Sequence, residues 1–293
     1  MKRKVCLKWF TTVLVTVAVL TLVGGVLSQA QGAKYIVGTS ADWPPFEWVD
    51  GNTNYVGFDL DVMRAIAIEK GYEIEIIDMA WDSLIPALQS GKIDINAADL
   101  TITPDRAKVI SYSDPYWASN FDAIVRADSG LNIITALSLG HKVGVQRGTT
   151  QNDFADGLVE AGVDVALNLY ETNDLAILDL LSGRIDTFIG DSPAAEAFQK
   201  VNSDNLVNIG TIRTGEYAGF AVQKDDPKGI LPLLNDGMAI LQANGVWDDL
   251  VAAYMTGNLD KITDCYAQFK HYLTVEKDTA AYAKNLAACM TAK

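Results

Sequence analysis

One seven-residue pattern occurs twice in this chain, and it limits the possible folds more than any other feature. Residues 88–94 read LQSGKID, and residues 180–186 read LLSGRID. Each copy is typical of a helix that ends at a glycine and leads into a strand. Each is followed five residues later by an aspartate, Asp99 or Asp191. The repeat predicts two lobes of similar build; the alternative is that it is only a common helix-to-strand turn.

Strand and helix patterns alternate around these two copies. Residues 35–39 and 73–78 have the pattern of strands, and residues 58–69 have helical spacing with Gly71 as the stop signal. A second alternation runs from residue 142 to residue 189. This order predicts an α/β fold with mostly parallel sheets.

Two short extended stretches, 122–127 and 217–222, are candidate crossings between the lobes, and a pair of crossings makes a hinge. Ligands of open α/β sheets bind at the carboxyl ends of the strands, so we expect Asp99 and Asp191 to face one cleft. The length of 293 residues suits two lobes. The net charge of −14 argues against nucleic acid as a partner, because phosphate binding needs a basic face.

The first 30 residues have the pattern of a targeting segment. Three basic residues at 2–4 precede an uncharged, largely apolar run over 9–27, and the small residues Ser28 and Ala30 suit a signal peptidase. The alternative is an uncleaved N-terminal anchor, because the run approaches the length that spans a bilayer. Both interpretations place the rest of the chain outside the cytoplasm, in the periplasm or the extracellular space.

The C-terminal part breaks the alternation. Residues 258–293 contain two helical patterns and form a predicted C-terminal helical extension. Cys265 and Cys289 lie within it, and two cysteines in an exported chain suggest one disulfide. The alternative is a pair of buried free thiols.

The segment 99–106, DLTITPDR, carries the strongest chemical signal. Thr103 is a good helix N-cap and Pro104 suits the first turn, which places Arg106 in that turn. A cation is unfavourable there unless it meets an anion, and arginine holds a carboxylate through two parallel hydrogen bonds. The alternative is a solvated surface arginine.

With its neighbours, this segment resembles the amino-acid-binding proteins of bacterial and archaeal ABC importers, solute-binding family 3. The matching segments follow the order of that family and cover roughly residues 34–255; they are 38–47, 57–61, 84–88, 98–106, 109–116, 143–150 and 184–186. The resemblance implies a two-lobed periplasmic-binding-protein fold of the second type, with residues 34–124 and 222–257 in the first lobe and 125–221 in the second. It also implies closure around a free amino acid and delivery to an ABC permease with a cytoplasmic ATPase.

The resemblance also implies roles for single residues at the backbone end of the ligand. Arg106 would clamp the ligand carboxylate, with help from Thr101 and from the backbone N–H of Thr150, which follows Thr149 at a helix start. Asp191 would take the ammonium group, together with the backbone carbonyl of Asp99.

Other matched positions lie at the ligand side chain. The resemblance implies that Trp43 and Trp81 sandwich it, although each tryptophan could instead belong to the core. Ser40, Glu47 and Gln146 match positions near the side-chain pocket.

Asp99 departs from the family, which usually has a small residue there. A carboxylate at this position predicts a preference for basic or neutral polar amino acids over glutamate or aspartate. The alternative is that the side chain turns away and only its carbonyl matters.

We therefore expect a monomeric binding protein without a catalytic residue, metal or cofactor. The same fold hosts dehydratases of small carboxylic acids, but neither histidine, His141 or His271, lies in a matched segment. A membrane-tethered ligand sensor is the other alternative.

Overall fold

The computed structural model describes residues 32–256 and 258–292, so the predicted targeting segment, 1–30, lies outside the described residues. Within the described part, no helix is both long and apolar enough to cross a membrane. Two five-stranded sheets form the two lobes, and helices cover them. The predicted two-lobed α/β fold with a C-terminal helical extension is confirmed.

The first sheet has the strand order β5-β1-β6-β13-β7. Its strands are β1 (Lys34–Thr39), β5 (Glu73–Asp78), β6 (Ile95–Asn96), β7 (Ile110–Tyr112) and β13 (Ala221–Gln223). Strand β1 runs parallel to β5 and β6, whereas β13 runs antiparallel to β6 and β7. A small three-stranded sheet, formed by β2 (Asp42–Trp43), β3 (Glu47–Val49) and β4 (Tyr55–Val56), belongs to the same part of the chain.

The second sheet repeats this plan with the order β10-β9-β11-β8-β12. Its strands are β8 (Trp117–Arg126), β9 (His141–Gln146), β10 (Val165–Tyr170), β11 (Thr187–Asp191) and β12 (Leu206–Ala218). Strand β9 runs parallel to β10 and β11, and β8 runs antiparallel to β11 and β12. Only half of the pairings in each sheet are parallel, so the expectation of mostly parallel sheets was wrong.

The helices alternate with these strands. In chain order they are α1 (Phe58–Lys70), α2 (Trp81–Gln89), α3 (Pro104–Ala107), α4 (Ile133–Ala136), α5 (Thr150–Glu160), α6 (Asn173–Leu181), α7 (Ser192–Val201), α8 (Leu231–Ala243) and α9 (Val246–Tyr254). The two copies of the repeated pattern lie at the ends of α2 and α6. Gly91 and Gly183 adopt φ angles of 73° and 74° there, the left-handed conformation that ends a helix. Each copy leads into the third strand of its sheet, so the repeat reflects two similar lobes.

The chain changes sheets at two places. It leaves the first sheet after β7 and enters the second at β8, and it returns between β12 and β13. The crossings are therefore residues 113–116 and 219–220. The first lies before the predicted stretch 122–127, and residues 122–126 of that stretch belong to the long strand β8, so the predicted position of the first crossing was wrong. The lobe boundaries expected at 124/125 and 221/222 stay predictions.

The C-terminal extension consists of α10 (Leu259–Phe269), a π-helical turn (Tyr272–Glu276) and α11 (Thr279–Thr291). It packs on the first lobe, where the buried carboxylate of Asp61 accepts hydrogen bonds from the hydroxyls of Tyr254 and Tyr282. A disulfide joins Cys265 and Cys289, as expected from the sequence. It links α10 to α11 and makes the extension one unit.

Candidate functional site

A cleft lies between the lobes, and its empty volume, including the part that is open to solvent, is about 340 Å³. Ten of the eleven ligand-binding residues expected from the sequence line it, and Asp42 and Gln151, which were not predicted, line it as well. From the first lobe the lining residues are Ser40, Asp42, Trp43, Trp81, Asp99, Thr101 and Arg106. From the second lobe they are Gln146, Thr149, Thr150, Gln151 and Asp191. Glu47 does not line this cleft.

Arg106 lies in α3, which begins as the sequence predicts. Thr103 caps this helix by accepting a hydrogen bond from the backbone N–H of Arg106 at 3.2 Å. The guanidinium donates to the carbonyls of Thr101 at 3.1 Å and Gly148 at 3.0 Å, and it lies 5.7 Å from the centre of the Trp81 ring. Burial lowers its pKa, but arginine stays charged at neutral pH and offers five N–H donors. Donors therefore remain for an anion in the cleft.

The first turn of α5 faces Arg106 from the second lobe. Thr149 is the N-cap of this helix and accepts a hydrogen bond from the backbone N–H of Asn152 at 3.2 Å. The hydroxyls of Thr150 and Thr101 lie 3.4 Å apart across the cleft. A helix N-terminus and a guanidinium on opposite walls form an arrangement suited to a carboxylate.

Two buried carboxylates lie on the same cleft. Asp191 ends β11, is 2 % exposed and accepts a hydrogen bond from the Ser119 hydroxyl at 2.7 Å. Burial raises its pKa to about 7. Burial also raises the pKa of Asp99 well above its usual range, with a further contribution from the charge of Asp191. One oxygen of each carboxylate has no hydrogen-bond partner among the described residues, so the pair can accept a cationic group.

Glu47 lies in β3 and is completely buried. Neither of its carboxylate oxygens has a hydrogen-bond partner in the part of the chain that the structure describes. Burial raises the pKa of Glu47 well above its usual range, and the charges of Asp59 and Asp99 add to this effect. An unpaired buried carboxylate is unfavourable in its charged form, so Glu47, which does not line the cleft, is stabilised by protonation or by a positive charge nearby.

The two predicted aromatic residues are held by polar contacts. The indole N–H of Trp43 donates to the carboxylate of Asp99 at 3.1 Å, and that of Trp81 donates to the carbonyl of Gly148 at 3.1 Å. The Asp99 side chain therefore points toward Trp43 and the cleft, not away from it. Trp43 lines the cleft and also belongs to the hydrophobic core; its place in an aromatic sandwich around the ligand stays a prediction.

Asp42 is the main residue that the sequence interpretation missed. Its carboxylate in the first lobe accepts hydrogen bonds from the Gln146 side chain at 3.2 Å and from the backbone N–H of Asn173 at 3.1 Å. Both donors belong to the second lobe. The signal was present, because an acid three residues after the end of β1 and next to Trp43 lies beyond the carboxyl end of a strand.

A metal site is not indicated in residues 32–256 and 258–292, where no group of three or more histidine, cysteine, aspartate or glutamate side chains is placed to hold an ion. The chemistry of this cleft is that of a guanidinium on one side and several buried carboxylates on the other.

The sequence matches a family model described as bacterial extracellular solute-binding proteins, family 3, over residues 35–257. The C-terminal extension lies beyond the matched region. The chain is 32 % identical over 232 residues to the arginine-binding extracellular protein ArtP of Bacillus subtilis, covering 78 % of this chain and 89 % of that protein. It is 32 % identical over 225 residues to a probable histidine-binding protein of Neisseria gonorrhoeae, covering 76 % and 83 %.

The chain is also similar to solved structures of amino-acid-binding proteins. An ancestral arginine-binding protein bound to arginine superposes with a TM-score of 0.71 at 33 % identity, covering 76 % of this chain and 99 % of that one. An ancestral amino-acid-binding protein, described as a precursor of cyclohexadienyl dehydratase, superposes with a TM-score of 0.69 at 33 % identity, covering 76 % and 96 %.

Proposed function

The chain belongs to family 3 of the bacterial extracellular solute-binding proteins, and from that premise we propose that it captures a free amino acid with a cationic side chain, arginine above all. The ligand lies between the two lobes and is delivered to an ABC permease served by a cytoplasmic ATPase. Export through the N-terminal segment places the protein outside the cytoplasm, as the family description implies.

The carboxylate end of the ligand is assigned to Arg106 and the first turn of α5. The guanidinium keeps N–H donors beyond those given to Thr101 and Gly148. The backbone N–H of Thr150 adds a donor from the second lobe. A carboxylate bound there contacts both lobes, so it stabilises the closed arrangement.

The ammonium end is assigned to Asp191, with Asp99 beside it. Each of these buried carboxylates has an oxygen without a hydrogen-bond partner among the described residues. An ammonium group supplies three N–H donors and one positive charge. It therefore offsets the cost of keeping these acids in a buried site.

The single observation that favours a cationic side chain is the excess of buried carboxylates at this cleft: Asp99 and Asp191 line it, and the unpaired Glu47 lies near enough to Asp99 for their charges to interact. The ammonium group of an amino acid compensates one negative charge, whereas Asp99, Asp191 and Glu47 carry three when ionised. A guanidinium on the ligand supplies a second positive charge and planar donors that match a carboxylate. The arginine-binding relatives named above agree with this assignment.

Isothermal titration with arginine, lysine, histidine, glutamine and glutamate tests the proposal. We expect arginine to bind most tightly and glutamate not to bind. Glu47→Gln should weaken arginine binding about tenfold, because it removes a negative charge close to Asp99 at the wall of the cleft, and it should leave glutamine binding nearly unchanged. Glu73→Gln, at an exposed position of the same lobe, is the matched control. Tight glutamate binding without arginine binding would refute the proposal.

The dehydratase alternative is supported only by the structural similarity to a precursor of such an enzyme, and that precursor is itself described as an amino-acid-binding protein. Fold alone does not give function. The named relatives are binding proteins, which favours binding over both catalysis and a tethered sensor.

A further inference from the structure

We propose that Asp42 is a closure residue: from the first lobe, where it lines the cleft, it accepts hydrogen bonds from two groups of the second lobe and stabilises the closed cleft through these bonds, not by holding the ligand. Its Oδ2 accepts from Nε2 of Gln146 at 3.2 Å and from the backbone N–H of Asn173 at 3.1 Å. Its Oδ1 accepts from the hydroxyl of Ser40, in its own lobe, at 2.9 Å. Asp42 is therefore held by a hydrogen bond within the first lobe and forms hydrogen bonds to the second lobe.

The contact with Asn173 lies at the start of a helix. Asn173 is the first residue of the nine-residue helix α6, and the Thr172 side chain caps the helix at Leu175. The first N–H groups of a helix have no partner within it, and the helix dipole favours a negative charge there. Asp42 supplies both the acceptor and the charge from the opposite lobe. Opening the cleft removes this acceptor from α6.

The contact with Gln146 changes the role expected for that residue. Its Nε2 donates to Asp42 and, at 3.0 Å, to the carbonyl of Glu171. Its Oε1 accepts from Nδ2 of Asn173 at 2.8 Å. Both amide hydrogens and the amide oxygen are thus used by the protein. Gln146 therefore connects the two lobes, and its amide does not bind the ligand side chain.

Several other hydrogen bonds across the cleft involve residues assigned to the ligand. Trp81 and Arg106 both donate to the carbonyl of Gly148, and the hydroxyl of Thr101 meets that of Thr150. The bonds made by Asp42 are separate from these. They favour the closed state by an amount that does not depend on which amino acid is bound, so they raise affinity for every ligand that requires closure.

A direct contact between Asp42 and a cationic ligand is the competing explanation, and two substitutions separate the two. Asp42→Asn keeps an acceptor oxygen for Asn173 and Gln146 but loses the charge. Asp42→Ala loses both. The closure role predicts that Asp42→Ala weakens arginine binding about tenfold, whereas Asp42→Asn stays within about threefold of the wild type. Gln146→Ala should weaken binding less in the Asp42→Ala background than in the wild type, because the two residues share a bond.

Asp78→Ala is the matched control. Its carboxylate accepts a hydrogen bond from the backbone N–H of Ala41 at 2.9 Å, one residue before Asp42, without reaching the second lobe. It should bind arginine like the wild type. An equal loss in Asp42→Asn and Asp42→Ala overturns the proposal in favour of a direct charge effect. If Asp78→Ala loses as much arginine affinity as Asp42→Ala, the effect comes from the position of the loop around residue 41, and the proposal is wrong. If Asp42→Ala binds arginine like the wild type, the proposal is also wrong.

Small-angle X-ray scattering of the ligand-free protein gives a test that does not rest on the proposed ligand. We expect a larger radius of gyration for Asp42→Ala than for the wild type and for Asp78→Ala. If the wild type does not bind arginine, the proposed function fails, while a larger radius in Asp42→Ala still supports the closure residue. Equal radii in all three proteins, together with equal affinities, contradict it.

Discussion

The carboxylate of Asp59 accepts a hydrogen bond of 2.7 Å from the backbone N–H of Asp99, 40 residues further along the chain. The same oxygen accepts a hydrogen bond of 2.6 Å from the Tyr116 hydroxyl. Asp99 has a φ angle of 45°, in the left-handed region that is unfavourable for a residue with a side chain. Asp59 therefore holds the loop that presents Asp99 and Thr101 to the cleft.

Replacing Asp59 by alanine should weaken both folding and binding. The substitution leaves the buried N–H of Asp99 without an acceptor, which costs about 1–3 kcal/mol. The loop then loses the contact that fixes its strained residue. We expect a lower free energy of unfolding in urea and weaker arginine binding by titration calorimetry. Asp59→Asn should lose less stability and less arginine affinity than Asp59→Ala, because the asparagine oxygen can accept the same hydrogen bond.

Asp186→Ala is a suitable control for this experiment. Asp186 in the second lobe accepts a hydrogen bond from the backbone N–H of Lys142 at 2.8 Å, but it does not line the cleft. Its loss should lower stability and leave arginine affinity unchanged. If Asp59→Ala binds arginine like the wild type, Asp59 supports the fold and not the site.

Ligand affinity should rise with pH between about 5 and 7. Burial raises the pKa of Asp191 to about 7, so below that value the carboxylate is increasingly protonated. The ligand ammonium pairs with the ionised form, and binding therefore releases a proton. Linkage then makes affinity increase as pH rises and level off above about 7, with a slope of at most about tenfold per pH unit for one proton.

The groups around Asp191 act in both directions. The charge of Asp122 adds to the rise in the pKa of Asp191, whereas hydrogen bonds from the Ser119 hydroxyl and the Ser192 backbone N–H partly oppose it. The charge of Asp191 in turn raises the pKa of Asp99. Calorimetry at several pH values, in two buffers of different ionisation enthalpy, measures the proton release directly. An affinity that falls as pH rises, or a binding enthalpy independent of the buffer at pH 6, contradicts this prediction.

The sequence was informative where the signal is local. The cap at Thr103 and the glycine stops at Gly91 and Gly183 depend on residues a few positions apart, and the structure contains all three. The contact between Asp42 and Asn173 joins residues 131 positions apart. No periodicity or capping rule predicts such a contact, because the two residues meet only when the two lobes face each other.

The first crossing shows a second limit of sequence reasoning. The chain crosses between the sheets at residues 113–116, but the extended pattern in the sequence continues through β8 to Arg126. The pattern therefore does not indicate where the chain changes sheets. Pattern indicates that a segment is extended. It does not indicate which of two sheets the segment joins, because that depends on partners such as β12, which pairs with β8 from Trp117 to Arg126.

Removing the disulfide should lower stability without changing ligand preference. Cys265 and Cys289 are 24 residues apart, and a loop of that length is worth about 3 kcal/mol in the chain-entropy estimate. The extension packs on α1 and α9, and none of its residues from 258 to 292 lines the cleft. We expect a lower Tm for the double variant Cys265→Ser/Cys289→Ser. A changed order of affinities for arginine, histidine and glutamine would contradict this separation.

Replacing Arg106 by lysine should weaken ligand binding although the charge is kept. The guanidinium bonds to two carbonyls, of Thr101 and Gly148, and lies on the Trp81 ring. A lysine ammonium has no planar fork, so it cannot keep these contacts and also hold a carboxylate through two bonds. The loss of two charge-assisted bonds predicts arginine binding weaker by roughly 100-fold. Arg213→Lys, at an exposed position outside the lining, is the control.

The choice of ligand makes this experiment specific for the carboxylate. Agmatine has the guanidinium and the amine of arginine but lacks the carboxylate. If Arg106 holds that group, Arg106→Lys should weaken arginine binding strongly and agmatine binding only slightly, so the two ligands should bind the variant with more similar affinities than they bind the wild type. An equal loss for both ligands means that Arg106 acts by shaping the cleft through Gly148 and Trp81, and the carboxylate must then be bound elsewhere.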